Sequence, residues 1–126
     1  GAPLMDNAVY RDRLIALQAE VFAMKFNGMR LTTNATQKKS GGMAGMIVKL
    51  QGCELNHRLA ELAIDVMGEY GILFEDSPFI RDHGMWQTAY MFDLGLIIGG
   101  GSAQIQKNII SERGLEMPRE PKVAKK

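Results

Sequence analysis

The sequence predicts an all-α fold, arranged as a single antiparallel helical bundle. Apolar residues recur every three or four positions over long segments, and the four prolines leave those segments uninterrupted. No segment alternates apolar and polar residues as a strand does, and helices of this length with short connections favour antiparallel neighbours. A chain of 126 residues suffices for one domain, which we assign to residues 1–119, followed by a polar tail at 120–126.

The first predicted helix follows Asp6, whose side chain can cap the helix N-terminus, and it continues to about Ala35. Its apolar residues share one face of the helix. They are Leu14, Leu17, Val21 and Met24, widened by Ile15, Phe22, Phe26 and Met29. The polar run TQKKSGG that follows is typical of a turn, and Ser40 can cap the next helix.

The second predicted helix covers residues 42–71 and carries two apolar stripes. One stripe comprises Met43, Met46, Ile47, Leu50, Cys53, Ala60, Ile64 and Met67; the other comprises Val48, Leu55, Leu59, Leu62 and Val66. A helix that is apolar around so much of its circumference packs on two sides, so we expect it to be central. Helices often end at a glycine in the left-handed conformation, and Gly71 is predicted to be that residue.

The remaining predicted elements are shorter. The segment ILFEDSPFIRDHG contains Pro78 and is too irregular for a helix, so it is predicted to be a linker. A third helix fits MWQTAYMFDLGLII, and a fourth begins at about Ser102 and runs through SAQIQKNIISERGL.

Charge and composition exclude several partners. A formal net charge of +1 argues against nucleic acid or an anionic membrane as partner. No stretch is long and apolar enough to span a bilayer, and the first residues do not have the form of a signal peptide. The single cysteine, Cys53, allows no internal disulfide and suits a reducing compartment, so we expect a cytoplasmic location.

Few residues suit catalysis or metal binding. Neither His57 nor His83 has the spacing of a metal motif, so no metal site is predicted. His57 and Cys53 fall on the first stripe of the second helix, where buried or interface roles are expected. Glu54 and Arg58 are four residues apart, which predicts an ordinary surface ion pair.

The exception is the run GGGSAQ, residues 99–104, directly before the fourth helix. Glycine is costly to order, so three in a row indicate that backbone must come close to something. Free N–H groups at a helix N-terminus suit an anion or the polar atoms of a cofactor, with Ser102 as the cap and Gln104 as an added donor and acceptor. The alternative is a flexible turn whose glycines only allow two helices to cross.

The segment IIGGGSAQIQKNIISERGLEMP resembles the C-terminal signature of the acyl-CoA dehydrogenases, approximately I-x-GGT-x-EIQRNIIAERxLGLP. Ser102 stands in place of the usual Thr, and Lys107 in place of Arg. Upstream, ELNHRLAELAIDVMG and DVMGEYGIL are similar to a helix of the family and to the QxxGGxG turn that follows it. The resemblance covers about residues 10–119.

This resemblance implies the C-terminal helical domain of a larger FAD-dependent enzyme of fatty acid metabolism. Such an enzyme oxidises a saturated acyl-CoA to the 2,3-enoyl-CoA by abstraction of the α-proton and transfer of a hydride to the flavin. The N-terminal helical domain, the middle β-domain and the first helix of the family's C-terminal bundle are expected to lie outside this chain. The isolated chain is therefore expected to hold no flavin and to be inactive.

The resemblance also implies site residues. Gly101 corresponds to backbone that meets the acyl-CoA thioester, and Ser102, Ala103 and Gln104 correspond to a segment that contacts FAD. Gly68 corresponds to backbone that touches the flavin of the adjacent subunit.

Two departures from the family pattern affect this assignment. Asp65 and Glu69 replace the Gln and the second Gly of the turn around Gly68, and a carboxylate is a poor neighbour for a pyrophosphate. The catalytic glutamate of many members stands where this chain has Gly100, so no catalytic residue is assigned. Either an earlier helix supplies the base or the base is absent, as in the non-catalytic subunits of hetero-oligomeric members. A helical oligomerisation module is the alternative function.

Association is predicted as well. The apolar surface of the second helix exceeds what two flanking helices would bury, and a large exposed apolar patch usually marks an interface. We therefore expect a dimer or a tetramer, as the tetramers of the family also imply.

Overall fold

The computed structural model describes residues 3–74, 76–119 and 121, and it confirms the helical prediction. The four α-helices are α1 (Ala8–Thr36), α2 (Gly42–Met67), α3 (Met85–Ile98) and α4 (Ala103–Ile109). Shorter helical turns cover Leu4–Asp6, Gly68–Ile72, Asp82–Gly84 and Ile110–Gly114. The described residues contain no strand. Of the predicted tail, residue 120 and residues 122–126 lie outside the described residues.

The N-terminus of α1 is capped by Asn7, and the prediction of Asp6 as the cap is wrong. Asn7 Oδ1 accepts hydrogen bonds from the N–H groups of Val9 at 3.0 Å and Tyr10 at 3.4 Å. Asp6 lies one residue earlier, inside the first 3-10 turn. Asn7 is the first residue after that turn and has the extended backbone that an N-cap needs, with φ −82° and ψ 112°.

Both ends of α2 also differ from the prediction. Gly41, not Ser40, is the N-cap. At the other end the left-handed residue is Gly68, with a φ of +55°, and the prediction of Gly71 for this role is wrong. Gly71 is instead buried in the following 3-10 turn, directly against the backbone of Ile64.

The core lies between α1 and α2. Leu17 of α1 packs with Leu55 and Leu62 of α2, and each of these three side chains is at most 7% exposed. Arg13, near the start of α1, pairs with Asp65, near the end of α2, at 2.7 Å. The two helices are therefore antiparallel, as predicted.

The opposite side of α2 is covered by α3. His57 stacks on Tyr90 with ring centroids 4.5 Å apart, and Lys49 lies beside Ile97. Because the α3 partner rises in number as the α2 residue falls, α3 also runs antiparallel to α2. The central position predicted for the second helix is thus confirmed.

Arg58 forms its ion pair across helices, not within α2. Its guanidinium makes two hydrogen bonds to the Glu20 carboxylate of α1, so the predicted pairing with Glu54 is wrong. The hydrogen bond from Arg58 holds the pKa of Glu20 below its ordinary value. Any stabilisation from this exposed pair is therefore present at neutral pH and is lost as the pH falls through the lowered pKa of Glu20.

Much apolar surface remains uncovered, although not where the sequence predicted it. The accessible surface is 9606 Å², whereas a compact monomer of this mass would expose about 6,700 Å². The exposed apolar side chains lie mainly on the outer faces of α1 and α3, because α2 is covered on both sides. Among them are Phe22, Phe26 and Met29 of α1 and Met91, Phe92 and Ile98 of α3.

Candidate functional site

The run of three glycines forms the connection between α3 and α4, and we call residues 99–101 the glycine loop. Gly99 is extended, whereas Gly100 and Gly101 have φ values of +71° and +107°. These two values lie in the left-handed region that residues with a Cβ rarely adopt. The backbone conformation therefore favours glycine at positions 100 and 101, two of the three positions of the loop.

The N–H groups of the loop are only partly available to a ligand. Gly99 N–H donates to Gly95 O at 2.8 Å, and Gly101 N–H donates to Ile98 O at 3.2 Å. The expectation of a row of free donors is therefore wrong for these two residues. They are used to end α3 with a tight turn.

Ser102 is the N-cap of α4, as predicted, and its Oγ accepts a hydrogen bond from Ile105 N–H at 3.4 Å. Ser102 and Ala103 are half-buried, while Gln104 is exposed. The candidate cofactor residues thus form one short surface at the start of α4, next to the glycine loop.

Two side chains from other parts of the chain hold the carbonyl groups of the loop. Lys49 Nζ donates to Ile97 O at 2.9 Å and to Gly101 O at 2.6 Å, and Gln106 Nε2 donates to Gly100 O at 3.0 Å. No role for Lys49 is predicted from the sequence. Its sequence context could have indicated one, because it is the only charged residue between positions 42 and 53.

The space around the loop differs between its glycines. A Cβ added at Gly100 would meet no atom within 4 Å, so this position opens outward. A Cβ added at Gly101 would lie 3.0 Å from Gln106 Nε2 and 3.5 Å from a methyl group of Ile105. A side chain at Gly101 would therefore need the amide of Gln106, which holds the loop, to move, and its backbone would be strained by the positive φ.

Gly68 lies far from the glycine loop. It follows the last residue of α2, whereas Lys49, which holds the loop, lies 19 positions earlier, a distance of roughly 28 Å along a helix. Of the departures in the turn around Gly68, Asp65 is paired with Arg13 and is not an isolated carboxylate. The structure thus brings Gly101, Ser102, Ala103 and Gln104 together and leaves Gly68 at the opposite end of α2.

The two histidines and the cysteine are not part of this surface. Nδ1 of His57 is buried without a hydrogen-bond partner beneath the ring of Tyr90, and Cys53 is a half-buried free thiol. His83 is exposed in a 3-10 turn. In the described part of the chain, no three side chains of the metal-binding types cluster together.

A comparison with protein families identifies the fold. The family model described as acyl-CoA dehydrogenase, C-terminal domain, matches residues 1–115. The chain belongs to the acyl-CoA dehydrogenase family. The resemblance found in the sequence is thereby confirmed, and the four helices correspond to the helical domain that ends these proteins.

Two curated acyl-CoA dehydrogenases, both named IpdE1, are similar over most of the chain. The protein from Mycobacterium tuberculosis (strain ATCC 25618 / H37Rv) is 33% identical over 117 residues, covering 93% of this chain and 29% of the relative. The protein from Mycolicibacterium smegmatis is also 33% identical over 117 residues, covering 93% of this chain and 28% of the relative. The chain therefore spans less than a third of the length of these acyl-CoA dehydrogenases.

Two solved structures share the fold. The Tcur3481–Tcur3483 steroid ACAD matches with a TM-score of 0.82 at 20% identity, over 93% of this chain and 30% of that chain. The ChsE4–ChsE5 complex from Mycobacterium tuberculosis matches with a TM-score of 0.81 at 25% identity, over 95% of this chain and 31% of that chain.

None of the helices in the described ranges is long and apolar enough to cross a membrane. The cytoplasmic location stays a prediction.

Proposed function

We propose that this chain is the C-terminal domain of an FAD-dependent enzyme that oxidises a saturated acyl-CoA to the 2,3-enoyl-CoA. The glycine loop is the observation that carries the proposal. Its carbonyl groups are held from within the domain by Lys49 and Gln106, while Gly100 opens outward. A loop that is fixed on one side and has no side chains on the other allows a thioester to approach the backbone closely.

The residues assigned to FAD fit a polar cofactor. The Ser102 hydroxyl accepts the capping hydrogen bond, which leaves its own proton available to donate to a ligand. The exposed amide of Gln104 can both donate and accept. In the proposed enzyme these residues bind and orient FAD, which supplies the two-electron redox chemistry when bound.

The separation of Gly68 from Gln104 supports a site that is shared between subunits. The two segments lie at opposite ends of α2, so in our proposal they contact different FAD molecules. One chain would then complete its own flavin site with residues 102–104 and that of the adjacent subunit with the turn at residues 65–69. This arrangement makes association necessary for activity.

The spectrum of the purified protein tests the proposal. We expect the full-length parent to carry FAD, with an absorption band at about 450 nm, and the isolated 126-residue chain to carry none. The parent is then assayed with butyryl-CoA, palmitoyl-CoA, isovaleryl-CoA and the CoA thioester of a steroid side chain. A parent without flavin, or one that oxidises none of the four thioesters, would contradict the proposal. A stoichiometric flavin band in the isolated chain would contradict the expected inactivity.

A non-catalytic subunit of a hetero-oligomeric dehydrogenase is the second candidate. Gly100 favours it, because glycine cannot abstract a proton where many members place their glutamate. The match to the ChsE4–ChsE5 complex favours it as well. In the first candidate the base comes from a helix outside this chain, and the Gly100→Glu variant separates the two.

The uncovered faces of α1 and α3 predict self-association. Met91 is 65% exposed on α3, and a glutamate there would place an unpaired charge in an apolar interface. By light scattering at about 50 µM, a concentration that populates weak interfaces, we expect wild type to be a dimer or tetramer and Met91→Glu to be smaller. Gln37→Glu, at an exposed polar position that follows α1 and lies outside both uncovered faces, is the matched control. A monodisperse wild-type monomer would contradict the prediction.

A further inference from the structure

One side chain of α2 bridges the two ends of the glycine loop. Lys49 Nζ donates to Ile97 O at 2.9 Å and to Gly101 O at 2.6 Å, and both contacts are partly buried. Ile97 belongs to the last turn of α3, and Gly101 precedes the N-cap of α4. A single ammonium group thus sets the distance between the end of one helix and the start of the next.

These contacts are stronger than ordinary loop hydrogen bonds. A donor that carries a full charge makes shorter and stronger hydrogen bonds than a neutral donor. Ile97 lies in the last turn of α3, where the carbonyl groups form the negative end of the helix dipole, which a nearby cation stabilises. Partial burial limits the competition from water. Lys49 therefore fixes the loop from the side opposite to the outward-facing Gly100.

We infer that Lys49 is the positioning residue for the acyl-CoA site, an inference that rests on the proposed function. Its ammonium group donates hydrogen bonds to two carbonyl groups, and in our proposal it contacts no reacting atom. It acts through Gly101, since the carbonyl that it holds belongs to the residue assigned to the thioester. Without Lys49 the loop keeps its sequence and its glycines but loses its fixed distance from α2.

Loop mobility provides a readout that does not depend on activity. In the full-length parent we expect Lys49→Met to speed hydrogen–deuterium exchange in the peptide covering residues 97–104 by about tenfold, which corresponds to about 1.4 kcal/mol. Lys25→Met, at an exposed position of α1, is the matched control and should leave this exchange unchanged. Far-UV circular dichroism confirms that both variants keep their helices.

Turnover is measured on the same variants with whichever of the four thioesters the wild type oxidises. We expect Lys49→Met to lower kcat about tenfold while its FAD content stays at the wild-type level. Lys49→Arg keeps the charge and offers two donors in a fork, so it should restore about half or more of the lost rate.

The outcomes distinguish this inference from the proposed function. Unchanged loop exchange in Lys49→Met overturns the inference, and so does faster exchange with unchanged kcat. An Arg variant as slow as the Met variant, with wild-type loop exchange, also overturns it, since position would then not explain the loss. A wild-type parent without flavin or activity contradicts the proposed function itself and any role of Lys49 in it.

Discussion

Replacing Gly71 by alanine should destabilise the domain by about 3 kcal/mol, the largest stability effect that we expect from a single methyl group. A Cβ at this position would lie 2.5 Å from the carbonyl oxygen of Ile64 and 2.9 Å from its Cγ2. The carbonyl is helix backbone and cannot rotate away, so the 3-10 turn must shift as a whole. That turn also carries Tyr70 O, which accepts a hydrogen bond from Gln87 Nε2 of α3 at 3.3 Å. The shift would therefore also disturb the packing of α3.

Urea unfolding of the chain measures this effect, with Gly28→Ala as the control. Gly28 is also a glycine within a helical segment, but a Cβ added there meets no atom within 4 Å. In the interior of α1 this change should raise the free energy of unfolding by about 0.5–1 kcal/mol. If the urea midpoint of Gly71→Ala equals that of the wild type, position 71 does not lie in close contact with Ile64.

The second large effect is on turnover: in the full-length parent, Gly101→Ala should fold, retain FAD and lose most of its acyl-CoA oxidation. The backbone at Gly101 has a φ of +107°, and a Cβ would lie 3.0 Å from Gln106 Nε2. These strains cost about 1–2 kcal/mol of stability, which a full-length protein can tolerate. In our proposal the methyl group also intrudes where the thioester approaches, and a misplacement of about 1 Å can slow a reaction about a hundredfold.

Gly84→Ala separates strain from function. Gly84 also has a positive φ, +71°, and its added Cβ would also lie 3.0 Å from a side-chain atom, Cδ1 of Ile80. It precedes α3, at the opposite end of that helix from the glycine loop. We expect this variant to lose similar stability and to keep its turnover. Equal turnover of Gly101→Ala and wild type would remove the functional interpretation of the loop and leave the glycines as a means of crossing two helices.

Gly100→Glu distinguishes a catalytic parent from a non-catalytic subunit. The position opens outward, so a glutamate side chain has room there, although its backbone would be strained at a φ of +71°. If an earlier helix already supplies the base, the added carboxylate should raise the pKa of one of the two groups and slow the reaction. If the parent lacks a base, the new carboxylate is placed where it could create activity. Steady-state rates of this variant decide between the two candidates.

The bounds of α3 and the N-cap of α4 were predicted correctly, because each depends on residues that are close in sequence. The third helix has the predicted bounds, Met85–Ile98, because an apolar run lies between Gly84 and Gly99. Ser102 caps α4 as predicted, because its hydroxyl needs only a backbone N–H three residues ahead. In these two cases the residues that end the helix are its neighbours in sequence, so the sequence was sufficient to predict them.

Contacts between distant residues were not predictable in the same way. The choice of Gly68 over Gly71 as the left-handed end of α2 depends on how the following turn packs on Ile64. The tie from Lys49 to Gly101 spans 52 residues, so no window along the sequence contains both partners. In each case several pairings satisfy the local pattern, and only the packing of helices selects one.

Anaerobic reduction of the flavin by substrate tests the central claim most directly. The full-length parent is mixed without oxygen with an acyl-CoA that it oxidises in the steady state, and the absorbance at about 450 nm is followed. Our account predicts rapid bleaching in wild type and in Gly84→Ala, and bleaching slowed by about a hundredfold in Gly101→Ala at unchanged FAD content. Bleaching at the wild-type rate in Gly101→Ala, or a wild-type flavin that no acyl-CoA reduces, would contradict it.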